Sequence, residues 1–248
     1  MIPARLASSR LPRKPLHPIL GRPLIRWATE RALAMGILDR VVVATDAEEV
    51  SRACEGLDVP VVLTDPQHPS GTDRIAEVVA HKDFEGYDII VNLQGDEPLL
   101  EEAHVVAAVE EVQKGRDVGT CAAPVGSPGN WLNPSVVKVV RRADGTALYF
   151  SRAPIPHQRD GSPDESALGG PLFLRHLGLY AYRREALFRW VGLPPSPLEE
   201  MERLEQLRAL EAGMTIGVAV VGQAERGVDT LEDVRIVETR MRELGLGQ

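Results

Sequence analysis

The sequence predicts an α/β fold with a mainly parallel central sheet and helices on both faces. Two observations carry this. Short β-branched runs such as Val41-Val42-Val43-Ala44 and Val218-Ala219-Val220-Val221 alternate with longer amphipathic stretches, which is the rhythm of strand–helix units. The chain has 248 residues, 44% apolar and 26% charged, enough to bury a sizeable core without a disulfide or metal staple. It reads as one domain over residues 1–248 with a small β-rich elaboration at about 130–175.

The elements follow in order. The first strand is expected to be short, because only Met1 and Ile2 precede Pro3. Pro23 opens a helix that Gly36 stops, since proline suits a helix start and glycine its end. A buried strand is expected over 40–45, with Asp46 capping a helix over 47–55, and a second strand over 59–63. Ser70 and Asp73 have the spacing of a capping box before a helix over 75–81. A strand over 88–94 and a helix over 101–114 complete this half. Segments 136–142 and 146–152 flank Ala143-Asp144-Gly145, a hairpin signal. Residues 154–171, rich in Pro, Gly, Ser and Asp, read as a long loop or flap. Then come a strand over 177–182, and a helix over 198–211 with Leu198, Met201, Leu204, Leu207 and Leu210 facing inward. A strand over 216–221 and a closing helix over 231–244 end the chain.

Several function classes drop out. Cys54 and Cys121 are 67 positions apart and fit no zinc or disulfide spacing. No apolar run approaches a membrane span, and the start has no apolar signal core, so a soluble cytoplasmic protein without membrane insertion is the expectation. A net charge of −8 argues against a nucleic-acid partner. That average hides an asymmetry. The first 29 residues carry Arg5, Arg10, Arg13, Lys14, Arg22 and Arg26 and no acid, which leaves −14 on the rest. Such a patch suits a small, highly charged anion, or it is a solvated cationic surface. Neither G-x-x-x-x-G-K-[ST] nor a strand-following G-x-G-x-x-G occurs, which excludes the usual P-loop and dinucleotide devices.

Three segments carry candidate chemistry. The opening 2–16 is a loop with small residues, the hydroxyls of Ser8 and Ser9, and four cations at the expected end of the first strand. Ligands of open α/β sheets bind at that end, where Arg10 supplies a guanidinium fork and Lys14 a point charge for a triphosphate. The second is Asn92-Leu93-Gln94-Gly95-Asp96-Glu97-Pro98. A carboxylate at a strand tip takes Mg²⁺ through one oxygen and leaves room for phosphate and water; the alternative makes Asp96 a cap for the next helix. The third is Gly227-Val228-Asp229-Thr230, where Asp229 is a second metal ligand or a helix cap. His176, at the start of a strand beside Arg175 and near Tyr180, is open to a structural or a functional reading.

Taken together these segments resemble the 3-deoxy-D-manno-octulosonate cytidylyltransferases. The resemblance runs through I-P-A-R-L-A-S-S-R-L-P-R-K-P-L at the start, A-T-D at Ala44, S-G-T-D-R at Ser70 and V-N-L-Q-G-D-E-P at Val91. It continues with N-P-S-V-V-K-V-V at Asn133, A-L-Y-F-S-R-A at Ala147 and L-R-H-L-G-L-Y-A-Y at Leu174. S-P-L-E at Ser196 with L-E-Q-L-R at Leu204, and G-V-D-T at Gly227, complete the order. What the resemblance implies is a Rossmann-like nucleotidyltransferase, a homodimer, that couples CTP to the acidic sugar Kdo for lipopolysaccharide biosynthesis. It implies that Arg10, Lys14, Asp96 and Asp229 are catalytic, with Asp96 and Asp229 holding Mg²⁺. Ala4, Arg5, Ser70, Gly71, Thr72 and Arg74 fall at nucleotide positions. Arg74, Gln94, Arg152, His176, Tyr180, Glu202, Glu205 and Gln206 fall on the sugar side. Two departures stand out. Arg13 occupies a common glycine position, which argues against a left-handed backbone there, and His157 replaces a frequent Trp.

Overall fold

Two sheets organise the chain, each within its own compact unit. A computed structural model describes all residues except Ser9, Gln223 and Gln248; Ser9 of the opening segment therefore lies outside the described residues. One unit comprises residues 1–87, 92–102 and 225–248, and the other residues 88–91 and 103–224.

The first unit opens with β1 (Ile2–Ala4), a 3₁₀ turn (Lys14–Leu16), a hairpin of β2 (Pro18–Ile19) and β3 (Arg22–Pro23), and α1 (Leu24–Leu33). It continues with β4 (Val43–Thr45), α2 (Glu48–Ala53), β5 (Val61–Leu63) and α3 (Gly71–Val79). β4 lies between β1 and β5, parallel to both, with Ile2 opposite Val43 and Val43 opposite Val61. Val42, Val43 and Ala44 are fully buried, as parallel strands require when both faces are covered. The first strand is short, as expected, yet it is well held: Ile2 donates to the Val42 carbonyl at 2.8 Å and Leu93 donates to Met1 at 2.9 Å. Ser70 caps α3, its hydroxyl accepting from the Thr72 and Asp73 amides at 3.1 and 3.3 Å.

The second unit contains β6 (Ile89–Asn92, whose last residue belongs to the first unit), α4 (Glu102–Gln113, whose first residue belongs to the first unit), β7 (Val118–Pro124) and α5 (Pro128–Leu132). Next come the hairpin β8 (Lys138–Arg141) and β9 (Ala147–Ser151), then α6 (Glu165–Leu168), β10 (Leu174–Arg183) and α7 (Arg184–Val191). α8 (Pro197–Glu202), α9 (Gln206–Glu211) and β11 (Ile216–Val220) complete it. The sheet runs β11-β7-β10-β8-β9, with β6 also on β10. β11 is parallel to β7, whereas β10 is antiparallel to both β7 and β8. The hairpin turn works as its sequence implies. Gly145 takes φ 87°, and the Asp144 carboxylate accepts from the Thr146 amide and hydroxyl at 2.9 and 2.6 Å. The chain then returns to the first unit as α10 (Leu231–Glu243), whose Val234, Val237 and Met241 pack with Leu24 and Trp27 of α1.

The departures from expectation have local causes. Asp46 does not cap α2; Ala47 holds that position without a side-chain bond. Instead Asp46 accepts from the Leu6 amide at 3.0 Å and pairs with Arg74 at 3.2 Å, because an ion pair reaching a buried guanidinium outweighs an exposed cap. The helix expected over 198–211 is two helices, broken at Arg203, which is left-handed at φ 53°. Met201 consequently faces solvent at 81% exposure, while Leu204 and Leu207 are buried. The flap contains α6, capped by Asp164. Arg13 is left-handed after all, at φ 56°, so a side chain is accommodated in a conformation that costs a non-glycine residue about 1–2 kcal/mol.

Two glycines set the spacing of the second unit. Gly119 of β7 lies opposite Gly217 of β11. A Cβ on Gly119 would come within 1.9 Å of the Ala108 carbonyl oxygen, and one on Gly217 within 2.7 Å of Glu111 Cβ. The glycine pair thus lets the backbone of α4 lie directly on the sheet. Gly119→Ala is expected to lower stability by about 3 kcal/mol, the upper part of the overpacking range, because backbone rather than a side-chain tip must move. Urea unfolding checks this, and an unchanged midpoint would contradict the packing account.

Candidate active site

The expected site residues fall into two groups, one in each unit. In the first unit the loop after β1 carries Arg5 and Arg10, and the following turn presents Lys14. Lys14 is the focus. Its ammonium hydrogen-bonds the Asp96 carboxylate and donates to Asp229 Oδ1 at 2.9 Å, while Arg10 pairs with Asp229 Oδ2 at 3.2 Å. Burial works against the Lys14 charge, but the Asp96 and Asp229 carboxylates outweigh it and hold its pKa above the ordinary lysine value. The ammonium therefore stays charged.

The two acidic loops are fixed against each other by backbone. Val228 donates to the Asp96 carbonyl at 2.9 Å, and a Cβ on Gly227 would lie 3.3 Å from Glu97 Cγ and 3.4 Å from the Asp96 carbonyl oxygen. The cap of α10 is Thr230, not Asp229. The Thr230 hydroxyl accepts from the Asp233 amide at 3.2 Å, and the Asp233 carboxylate accepts from the Thr230 amide at 2.9 Å. The Asp229 carboxylate is thus left to Arg10 and Lys14. Asp96 likewise directs its carboxylate at Lys14. Two carboxylates on separate loops meeting one cation form an oxygen-only donor set that fits a hard divalent ion, which completes its shell with phosphate and water.

The remaining first-unit candidates make contacts of their own. Ala4 ends β1, and its carbonyl accepts from the Thr45 hydroxyl at 2.6 Å. Arg5 is exposed. Ser70 and Thr72 begin α3, with Gly71 close enough to Pro3 that a Cβ would approach its ring at 3.2 Å. Arg74 is buried beneath the loop, bonded to the Thr64 hydroxyl and paired with Asp46. Gln94 donates to Asn92 Oδ1 at 3.3 Å. Asp46 and Thr64 are the partners of Arg74 that sequence reasoning misses; the A-T-D triplet marks Asp46, whereas nothing in the sequence singles out Thr64.

The second-unit candidates form a network of their own. Arg152 donates through its guanidinium to the carbonyls of Pro134 at 3.0 Å, Glu202 at 2.7 Å and Arg203 at 3.3 Å. Glu202 accepts from the Ser151 hydroxyl at 2.6 Å and the Arg152 amide at 2.9 Å. Lys138, fully buried, donates to the carbonyls of Asn133 at 3.0 Å and Arg152 at 2.7 Å, and also to that of Val136. Burial, and then the nearby Arg152 charge, lower its pKa. His176 lies beside Phe150 and Tyr180, with ring centroids 5.0 and 5.3 Å away. Burial pushes the His176 imidazole down to about 3, so it is neutral at physiological pH. Burial, then Tyr182 and Glu205, raise the Tyr180 phenol well above its usual value, so it remains a hydroxyl donor. Gln206 is buried at the start of α9, Glu205 directly precedes it, and His157 is exposed.

Known proteins are similar to this chain over nearly its whole length. The sequence profile of a family described as Cytidylyltransferase matches residues 1–216. A 3-deoxy-manno-octulosonate cytidylyltransferase from Gemmatimonas aurantiaca is 49% identical over 235 residues, covering 94% of this chain and 90% of the relative. The chain belongs to the 3-deoxy-manno-octulosonate cytidylyltransferase family. A second member, from Syntrophobacter fumaroxidans, is 48% identical over 96% of this chain and 94% of its own length. Among solved structures, CMP:2-keto-3-deoxy-manno-octonic acid synthetase complexed with CTP is similar with a TM-score of 0.87 and 38% identity, covering 98% of this chain and 97% of that one. The fold is therefore the nucleotidyltransferase fold of this family.

The roles of Asp229 and Thr230 separate in a stability measurement. Thr230→Ala removes the α10 cap and is expected to cost about 1–2 kcal/mol. Asp229→Asn removes only half-exposed ion pairs and should cost less than about 0.5 kcal/mol. Thermal melts of the two variants compare them, and the reverse order would return Asp229 to the cap.

Proposed function

We propose that this chain transfers CMP from CTP to the anomeric 2-hydroxyl of 3-deoxy-D-manno-octulosonate, giving CMP-Kdo and pyrophosphate. The carrying observation is the meeting of Lys14 and Arg10 with Asp96 and Asp229, found in a chain of this family. In the reaction the sugar 2-oxygen bonds to the α-phosphorus of CTP, the bond from that phosphorus to the bridging oxygen breaks, and pyrophosphate leaves with its electron pair. The hydroxyl proton passes to solvent.

Each residue then has a task set by its chemistry. Arg10 and Lys14 bind the triphosphate oxygens and offset charge on the leaving group. The Ala4–Arg5 backbone and the start of α3, at Ser70, Gly71 and Thr72, line the nucleotide, with Arg74 bracing the loop from below. Asp96 and Asp229 would hold Mg²⁺. When bound, that ion supplies positive charge to the phosphate oxygens. On the sugar side Arg152 takes the Kdo carboxylate, and His176 and Tyr180 take hydroxyls. Gln94, Glu205 and Gln206 supply further polar contacts. Glu202, whose two oxygens bond Ser151 and Arg152, holds Arg152 in place. The same reading gives a cytoplasmic homodimer serving lipopolysaccharide biosynthesis. Supporting surfaces are Leu132 and Leu172, 61% and 65% exposed, next in sequence to Trp131 and Phe173 of a buried cluster. No described helix is long and apolar enough to cross a membrane.

Incubation with CTP, Kdo and Mg²⁺ is expected to release pyrophosphate, with little release when ATP replaces CTP or when Kdo is left out. Lys14→Ala should keep its fold and lose about 10–150-fold in kcat/KM, the worth of a charge-assisted phosphate contact. Sugar-independent release, or a Lys14→Ala variant with wild-type kinetics, would overturn the reading.

A further inference from the structure

The antiparallel pairing of β10 with β7 is interrupted. Leu177 lies opposite Cys121 and Tyr180 opposite Thr120, so Gly178 and Leu179 bulge out of register. Bulges concentrate beside active sites because they re-aim side chains. Here the bulge brings His176 and Tyr180 together, with ring centroids 5.3 Å apart. The group that fills the bulge is the Thr120 hydroxyl, which is fully buried. Its oxygen lies 2.6 Å from the Leu179 carbonyl, 3.3 Å from the Leu177 carbonyl and 2.9 Å from His176 Nε2.

Proton counting then leaves one arrangement. A hydroxyl has one hydrogen and two lone pairs, and a carbonyl only accepts. The Thr120 hydrogen goes to Leu179, the shortest of the contacts. Its oxygen therefore faces His176 Nε2 with lone pairs, and an unprotonated Nε2 would set two acceptors against each other. We propose that Thr120 is a positioning residue that fixes His176 as the Nε2–H tautomer, leaving Nδ1 as a bare acceptor for a hydroxyl of the sugar. An imidazole that is neutral at working pH has only one N–H, so the hydrogen bond at one nitrogen determines the other. A bare nitrogen accepts from a hydroxyl and repels a carboxylate, so His176 recognises the polyol part of the acid sugar. This inference rests on the sugar-side role proposed for His176.

The test joins a spectroscopic and a kinetic readout. In ¹⁵N-histidine-labelled whole protein, assigned by the signals lost in His176→Gln, the imidazole proton of His176 is expected on Nε2 and protected from exchange. Thr120→Val, which keeps the branched shape without the hydroxyl, should lose that protection and raise KM for Kdo about 5–20-fold with KM for CTP unchanged. Thr120→Ser should restore both. A proton found on Nδ1 in the wild type, or a folded Thr120→Val that keeps the protected proton and the wild-type KM for Kdo, would overturn the proposal. Should Thr120→Val not fold, the wild-type and Thr120→Ser spectra decide it. A protein with the Nε2–H signature but no Kdo-dependent pyrophosphate release would support the tautomer and defeat the sugar reading instead.

Discussion

The first unit depends on one electrostatic arrangement, the Lys14 ammonium held between Asp96 and Asp229. These acids are 82 and 215 positions away along the chain, so the triad joins the turn after β1 to the loop after β6 and the loop before α10. Two like charges about 4 Å apart repel by on the order of 4 kcal/mol near a protein surface, and a cation between them removes that conflict. The backbone bond from Val228 to Asp96 holds the acidic loops in place, while the cap of α10 is delegated to Thr230. The carboxylates are therefore free of capping duty and aimed at a shared positive charge. Lys14 brings a compact point charge to this centre and Arg10 a planar fork, the two kinds of cation that phosphate oxygens engage.

The second unit solves a different problem, holding polar side chains in fixed orientations among buried rings. The chain has only 11 aromatic residues, and Phe150, Tyr180, Tyr182 and Trp190 sit in one chain of ring contacts with His176. Concentrating them there gives His176 and Tyr180 fixed orientations and keeps both uncharged. Lys138 provides the counterpart for the backbone: its ammonium satisfies carbonyls of the segment before β8 and of Arg152 after β9. Arg152 and Glu202 then reach one another across 50 positions.

Much of this was legible in the sequence, and the parts that were not share a cause. The alternation of strands and helices, the Ser70 cap and the Asp144-Gly145 turn are local signals, and each appears where the pattern puts it. The strand ends shrink by a few residues, because hydrogen bonding to a neighbour defines a strand, and apolarity alone does not. Asp46 was misread as a cap since its partner, Arg74, lies 28 positions on. The 198–211 segment reads as one helix because its apolar spacing, Leu198, Met201, Leu204, Leu207 and Leu210, runs unbroken across Arg203, and a left-handed residue at a non-glycine position has no sequence mark. The acidic residues Asp96 and Asp229 each admit a reading as caps; the Thr230 cap of α10 removes it for Asp229, and both carboxylates turn to Lys14. Thr120 lies in no quoted motif, and Lys138 lies in one that assigns it no role; their contacts appear only when β7, β8, β9 and β10 are paired.

A double-mutant cycle on Lys14 and Asp96, read by urea unfolding at low salt, tests the central electrostatic claim most directly. Lys14→Met keeps the apolar stem and removes the charge, leaving the two carboxylates face to face, and Asp96→Asn relieves that repulsion. The pair is about one-fifth to one-quarter exposed, so a coupling energy of about 1–3 kcal/mol is expected, with Asp96→Asn less damaging, or stabilising, in the Lys14→Met background. A coupling energy below about 0.3 kcal/mol, with the two single effects simply adding, would contradict the account.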